Sequence, residues 1–269
     1  MSDGEFKILF VADVVGHPGR EAVKAVLPRL RKELNPDLAV VNGENAAAGF
    51  GLTAKLVAEL RDSGADVITT GNHVFAQKEF VTELPQLERV TRPANYPPAA
   101  PGKGWCRLQA SGQQVLVMNL MGRIFVDPID DPFRAADAIL AEHKDVRIVL
   151  CDMHAEATSE KIAMGWHLDG RVTAVVGTHT HVPTADARVL DEGTAYITDV
   201  GMTGPRGGVI GVKREQALEG LVTQMPVRFE TSEIDPWLMG VFIRCSGRRR
   251  AGSIEQILMR RPSTNSAGG

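Results

Sequence analysis

The side chains able to hold a metal ion or move a proton recur at one kind of place in this chain. Apolar runs end in them. The first run leads to Asp13 within FVADVVG. The second leads to NGEN at 42–45, with Glu44 and Asn45. A third ends in TTGNH, with Asn72 and His73, and a later one in LCDMH, with His154. The next ends in GTHTH, with His179 and His181. In an open α/β sheet, ligands bind outside the carboxyl ends of the strands. Several strands that deliver Asp, Glu, Asn and His to one edge therefore predict a metal site.

Each residue also has an ordinary reading. Asp13 alone would be a cap or turn residue. Glu44–Asn45 and Asn72–His73 could be polar turns. Asp152 reads as structural, because His154 is the better strand-end match. His179 and His181 carry more weight: at i and i+2 on a strand they share a face, so both imidazoles can reach one site. The joint occurrence is what packing does not explain.

No cysteine joins the set, which disfavours a structural zinc site or an iron–sulfur cluster. Imidazoles with carboxylates and a carboxamide suit iron, manganese or zinc. Asp13, Glu44, Asn45, Asn72, His154, His179 and His181 are too many for one tetrahedral ion. They suit two ions with a shared ligand. Glu44, with two oxygens and a central place in the chain order, is the natural bridge. Two ions roughly 3.5–4 Å apart would hold a hydroxide and stabilise the attacking and leaving oxygens of an in-line displacement.

Positioning such a set requires an alternating scaffold. Strands are predicted at Lys7–Val15, Leu38–Val41, Asp66–Thr70, Gln114–Leu120, Val146–Cys151, Val172–Val176 and Thr194–Asp199. A helix over Gly19–Leu34 buries Val23, Val26, Leu27 and Leu30, and Pro28 is expected to kink or interrupt it. Thr53 caps a helix to Asp62, followed by Gly64. Phe75–Leu84, Asp131–His143, Ser159–Trp166 and Lys213–Gln224 are further helices, with Asp131 or Asp130 as a cap and Pro132 in the first turn. Pro93–Gly104 is a loop. Val227–Thr231 and Leu238–Cys245 read as closing strands. This order predicts an α/β protein with helices on both faces of a largely parallel core, and a layered α/β/β/α sandwich fits it. A single domain over 1–261 is expected, with a small cap around 203–240 and a disordered tail at 262–269.

Composition narrows the class. With 43% hydrophobic and 23% charged residues, disorder of the main body is excluded. A net charge of -3 gives no global footprint for duplex nucleic acid or an anionic membrane. No apolar run approaches the roughly 20 residues of a membrane span. The acidic start lacks the basic region of a secretory signal. Cys106, Cys151 and Cys245 are odd in number and scattered, so a reduced cytoplasm is expected. GHPGR at 16–20 matches no phosphate-loop pattern and reads as a turn. MTGPRGGVIG at 202–211 reads as a Gly-rich loop whose amides or Arg206 could meet a phosphate. Arg248–Arg250 reads as a solvated turn, and at most a weak RNA contact.

GNH at 71–73 and GTHTH at 177–181 resemble motifs of the calcineurin-like metallophosphoesterase superfamily. That superfamily orders D-x-H, GD-x2-D, GNH(D/E), a strand-end His and G-H-x-H along a sandwich core. Here Val15 stands where the first motif has histidine, and Glu44 replaces the bridging aspartate. Both departures resemble the YmdB-like branch. So do DVVGHPGR (13–20), NGENAAAGFGLT (42–53), TTGNHVF (69–75), RPANYP (92–97), TDVGMTGP (198–205) and LVTQMPVRFE (221–230). The resemblance extends to about Arg261, with departures at Arg206 and Gly207.

The resemblance implies a metallophosphoesterase sandwich. It implies that Asp13, Glu44, Asn45 and His181 hold a first ion, Asn45 filling in for the missing histidine. Glu44, Asn72, His154 and His179 would hold a second, and His73 would be the general acid. It further implies iron or manganese, and a phosphodiesterase that opens 2′,3′-cyclic nucleotides, with weaker action on other phosphoesters; RNA-derived ends would be a compatible partner. A homo-oligomer in the cytoplasm would be compatible. Two alternatives stand beside it: a general phosphomonoesterase on the same ions, and a metal-containing nucleotide- or RNA-binding regulator with little turnover. The second would show a broken ligand set or lack His73, and the sequence shows neither.

Overall fold

The computed structural model describes residues 5–246 and 249–262. The first strand, β1 (Phe6–Val11), shows how the layers arise. Strand side chains alternate between faces. Phe6, Ile8 and Phe10 enter the layer between two sheets, while Leu9 and Val11 face the outer helices. β1 pairs in parallel with β3 (Leu38–Asn42), which is followed by β4 (Val67–Thr69) and β5 (Val90–Thr91). The helices α1 (Gly16–Leu34) and α2 (Ala54–Asp62) pack on the outer face of this sheet. Thr53 caps α2 by accepting the Leu56 N–H at 3.3 Å.

The other edge of β1 is antiparallel to β13 (Pro236–Cys245), which carries β14 (Ala251–Arg260). β13 also pairs with β12 (Met202–Pro205), and β12 pairs in parallel with β2 (Asp13–Val14). The second sheet runs β10 (Arg188–Val189), β11 (Ala195–Ile197), β9 (Ala174–Thr178), β8 (Ile148–His154), β7 (Gln113–Met121), β6 (Trp105–Ala110). Its outer face is covered by α4 (Pro132–Glu142) and α5 (Thr158–Leu168). The expected α/β/β/α sandwich is therefore present. Ile8, Phe10, Val40, Val117, Leu150 and Val176 meet between the sheets. Each such buried side chain contributes about 1.5–3 kcal/mol. That packing gives the strand ends a rigid base.

Several elements differ from the sequence reading. Helix α1 runs through Pro28. Lys24 and Pro28 both lie on the exposed face, where water is at hand for the carbonyl that a helical proline leaves without its N–H partner. GHPGR is the first turn of α1 and not a separate turn. A Cβ on Gly19 would come within 2.3 Å of the Thr203 carbonyl, so that turn packs tightly on β12. The strand expected through Val15 breaks after Val11, because the chain changes partner from β13 to β12. Val227–Thr231 is not a strand. Among the described residues its only ladder contact is an isolated bridge from Thr231 to Val212. The helix expected from Phe75 begins at Lys78, as α3 (Lys78–Glu83). MTGP, read as part of a loop, is β12. Arg249 is a tie and not a solvated turn residue: its guanidinium donates to the carbonyls of Val146 (2.9 Å), His143 (3.0 Å) and Arg171 (3.1 Å). Arg248, and the expected tail beyond Pro262, fall outside the described residues.

Candidate metal centre

The strand ends of both sheets open on one side, and the sequence-nominated residues gather there. Asp13 begins β2. Glu44 and Asn45 follow β3, Asn72 and His73 follow β4, and His154 ends β8. The loop that carries Glu44 is pinned at several points. Gly43 N–H donates to Thr69 O at 2.9 Å, Glu44 N–H to Asn42 Oδ1 at 3.1 Å, and Gly16 N–H to Asn45 O at 2.9 Å.

His179 and His181 arrive differently from the expected strand alternation. β9 stops at Thr178, and both histidines lie beyond it with φ of 99° and 65°. That left-handed region is uncommon for residues with a Cβ, and such strain collects at functional sites. A buried pair holds the bend. Lys161 Nζ lies 2.7 Å from Asp199 Oδ2, and the same oxygen accepts from Thr180 N–H at 3.1 Å and Thr180 Oγ1 at 2.7 Å. Removing one partner of a buried pair costs about 3–5 kcal/mol, so this tie is stiff.

The centre of the cluster is His154 Nε2. It lies 2.9 Å from Asn72 Oδ1, 3.0 Å from His179 Nδ1 and 3.2 Å from Glu44 Oε1. The ring is oriented from behind. Thr178 Oγ1 donates to Asp152 Oδ1 at 2.7 Å, so it accepts from His154 Nδ1–H at 2.9 Å. That leaves Nε2 directed at the site. His179 is set in the same way: its Nε2 lies 3.1 Å from Glu156 Oε2, which turns Nδ1 inward. His181 Nδ1 donates to Ile210 O at 2.9 Å, and its Nε2 faces Asp13 Oδ2 at 3.4 Å and Asn45 Nδ2 at 3.2 Å. Outer partners of this kind fix the tautomer of metal-binding histidines.

Electrostatics follow from this crowding. Burial pushes the Glu44 carboxyl up, but His154 with its neighbours His73 and His179 outweighs burial and brings it to about 2. Burial pushes His154 down, and Glu44 reverses that, raising it to about 9. Burial, with the charge on His154, lowers His179 to about 4. For Asp152 burial dominates and lifts it to about 7, against the pull of His154, Thr69 and Thr178.

The site fits a cation. Glu44, His154 and His179 offer ligand atoms within 4.8 Å of one another. Asp13 Oδ1 is a buried oxygen without a hydrogen-bond partner. Buried oxygens in that state are costly unless something positive meets them. A Cβ on Gly71 would lie 2.0 Å from Glu44 Oε2 and 2.3 Å from His154 Nε2, so only glycine lets that loop approach. Asn72 Nδ2 lies 3.3 Å from His73 Nε2, which places the His73 ring beside the cluster.

A cavity of about 480 Å³ opens over these groups, with Glu44, Asn45, His73, His179 and His181 in its wall. Asp13 and His154 are fully buried beneath it. Apolar side chains complete the wall: Phe50 from the β3–α2 loop, and Ile210 and Phe229 from the 206–235 segment. That segment includes α6 (Arg214–Thr223) and leaves the sheet between β12 and β13. Residues 203–205 and 236–240, placed in the expected cap, belong to β12 and β13 of the sheet instead.

Sequence reasoning missed Asn42, Thr178 and Glu156. Asn42 Nδ2 donates to Asp152 Oδ2 at 3.0 Å and so links the two sheets behind the site. A polar side chain ending an apolar strand was the available signal for Asn42 and Thr178. Glu156 carried none.

A model of the YmdB-like protein family matches residues 9–257. The chain is 49% identical over 255 residues to a Bacillus subtilis (strain 168) protein named 2′,3′-cyclic-nucleotide 2′-phosphodiesterase, covering 94% of this chain and 97% of that one. A crystal structure of a hypothetical protein from Thermus thermophilus superposes with a TM-score of 0.91 at 44% identity, covering 96% of this chain and 100% of that one. That of a phosphatase from Mycoplasma pneumoniae gives 0.91 at 33% identity, covering 97% and 95%. Among the described residues no helix is long and apolar enough to cross a membrane.

Proposed function

This chain belongs to the YmdB-like family, and we propose that it is a dinuclear metal-dependent phosphodiesterase that hydrolyses 2′,3′-cyclic nucleotides. One observation carries the reading. Glu44 Oε1, Asn72 Oδ1 and His179 Nδ1 converge within 3.2 Å of His154 Nε2, while the ring protons of both histidines are engaged behind the site.

The residues divide into two overlapping sets. Asp13, Glu44, Asn45 and His181 would hold one ion, and Glu44, Asn72, His154 and His179 the other. Iron and manganese suit this mixture of imidazole, carboxylate and carboxamide. Two such ions supply hydroxide at neutral pH and positive charge for the phosphoryl oxygens. Asn45 enters with one adjustment. Its amide nitrogen now faces Glu44 Oε1 at 3.2 Å and His181 Nε2 at 3.2 Å. Exchanging the two amide atoms, whose assignment rests on the hydrogen-bond network, turns Oδ1 inward.

His73 is the proton donor in this reading. It stands in the cavity wall beside Asn72, where a departing oxygen would meet it. A positioned acid at that point removes the need to expel an alkoxide. The 206–235 segment is the cap, and its Ile210 carbonyl orients His181.

The expected result is hydrolysis of 2′,3′-cyclic AMP with manganese or ferrous iron, abolished by chelator and restored by the ion. Hydrolysis at an unchanged rate in chelator would contradict the reading. Faster turnover of 3′-AMP than of the cyclic diester would favour the phosphomonoesterase alternative instead.

A further inference from the structure

We propose that Phe50 and Phe229 form a nucleobase subsite, at which the base of the cyclic nucleotide stacks. The inference rests on the phosphodiesterase reading and extends it to the far end of the substrate. Phe50 and Phe229 remain 49% and 47% exposed although both line the cavity that holds the metal-binding side chains. Large apolar side chains beside a polar cluster are what an orienting ligand pocket presents.

The direction of the substrate follows from the chemistry. The in-line displacement breaks one phosphorus–oxygen bond of the cyclic diester and forms one to the incoming hydroxide. The departing oxygen takes a proton and stays on the ribose. Its nucleoside therefore lies on the His73 side of phosphorus. The aromatic ring in contact with His73 there is Phe50, edge-on with centroids 5.0 Å apart and planes at 87°.

Phe229 completes the subsite from the cap. Its neighbours are fixed to the same loop and to α6. Thr231 Oγ1 donates to Ala48 O at 3.3 Å, and Glu230 N–H donates to Gln216 Oε1 at 2.8 Å. Lys213 N–H donates to Glu230 O at 3.0 Å. The two rings thus sit on backbones that are tied together. Every base has a π-face, so stacking of this kind tolerates any base.

The test compares kcat/KM for 2′,3′-cyclic AMP with that for a base-free analogue, methyl ribofuranoside 2′,3′-cyclic phosphate. In Phe229→Ala and in Phe50→Ala the ratio of the two values is expected to fall roughly tenfold or more, the scale of one stacked base. A ratio unchanged in both variants would overturn the subsite. Wild-type protein that hydrolyses neither substrate would overturn the phosphodiesterase reading, and the subsite with it.

Discussion

Glu44→Ala is expected to lose both ions, and with them at least about 10³-fold in turnover, because a metal lowers the pKa of water from about 15.7 to about 7 and that supply of hydroxide disappears. The reasoning starts from position. Glu44 is buried, and its Oε1 lies 3.2 Å from both His154 Nε2 and Asn45 Nδ2. Those two residues belong to different proposed ion sets. Glu44 is therefore the side chain that touches both. It is also one of only two carboxylates among the proposed ligands, with Asp13, so its loss removes half of the negative charge that would balance two cations. His181→Ala touches one set and should retain about one ion. Elemental analysis of the two variants checks this. Both ions kept in Glu44→Ala and both lost in His181→Ala would make the bridging assignment wrong.

His73→Ala is expected to keep both ions and lose about 10²–10⁴-fold in turnover, the usual contribution of a positioned acid. His73 contacts the proposed ligand set at its edge, through Asn72 Nδ2 at 3.3 Å and its own N–H to Glu44 Oε2 at 3.4 Å. The ring itself stands in the cavity wall. The defect should shrink on a nitrophenyl phosphodiester, whose leaving oxygen departs without a proton. If His73 only braced the loop, good and poor leaving groups would suffer alike. Turnover of wild type and variant on both substrates, with metal content measured in parallel, separates the two roles. Equal losses, or a missing ion, would remove His73 from acid catalysis.

The strand-end positions of Asp13, Glu44, Asn72 and His154 were readable because parallel strands are buried on both faces and spell continuous apolar runs. Where such a run stops, a polar residue stands out. The convergence of His179 and His181 was anticipated for the wrong reason. A bend with positive φ brings them in, and the Lys161–Asp199 pair that holds it links positions far apart in the chain. Thr178, Asn42 and Glu156 escaped for a related reason. Each acts through a partner that only the folded chain brings near, as in the Asn42–Asp152 bond between the two sheets.

Edge elements were harder to read than central ones. β6 alternates Arg107 and Gln109 with a single buried Leu108, and β14 has no fully buried residue, so neither spells an apolar run. Val227–Thr231 has the composition of a strand but no neighbouring strand to complete a ladder. Strand propensity reports fit to a half-buried pleated surface, and none is offered there. Pro28 shows the reverse case. A helix breaker is tolerated because Lys24 and Pro28 lie on the exposed face, where water is at hand for the freed carbonyl, while Val23, Val26, Leu27 and Leu30 bury the opposite face.

The central claim is that this cluster holds two transition-metal ions. It is tested most directly by elemental analysis of protein purified without added metal or chelator. About two ions per chain, iron or manganese, is the result expected from Asp13, Glu44, Asn45, Asn72, His154, His179 and His181 acting together. Protein that purifies without bound transition metal, and takes up none when iron or manganese is supplied, would contradict it.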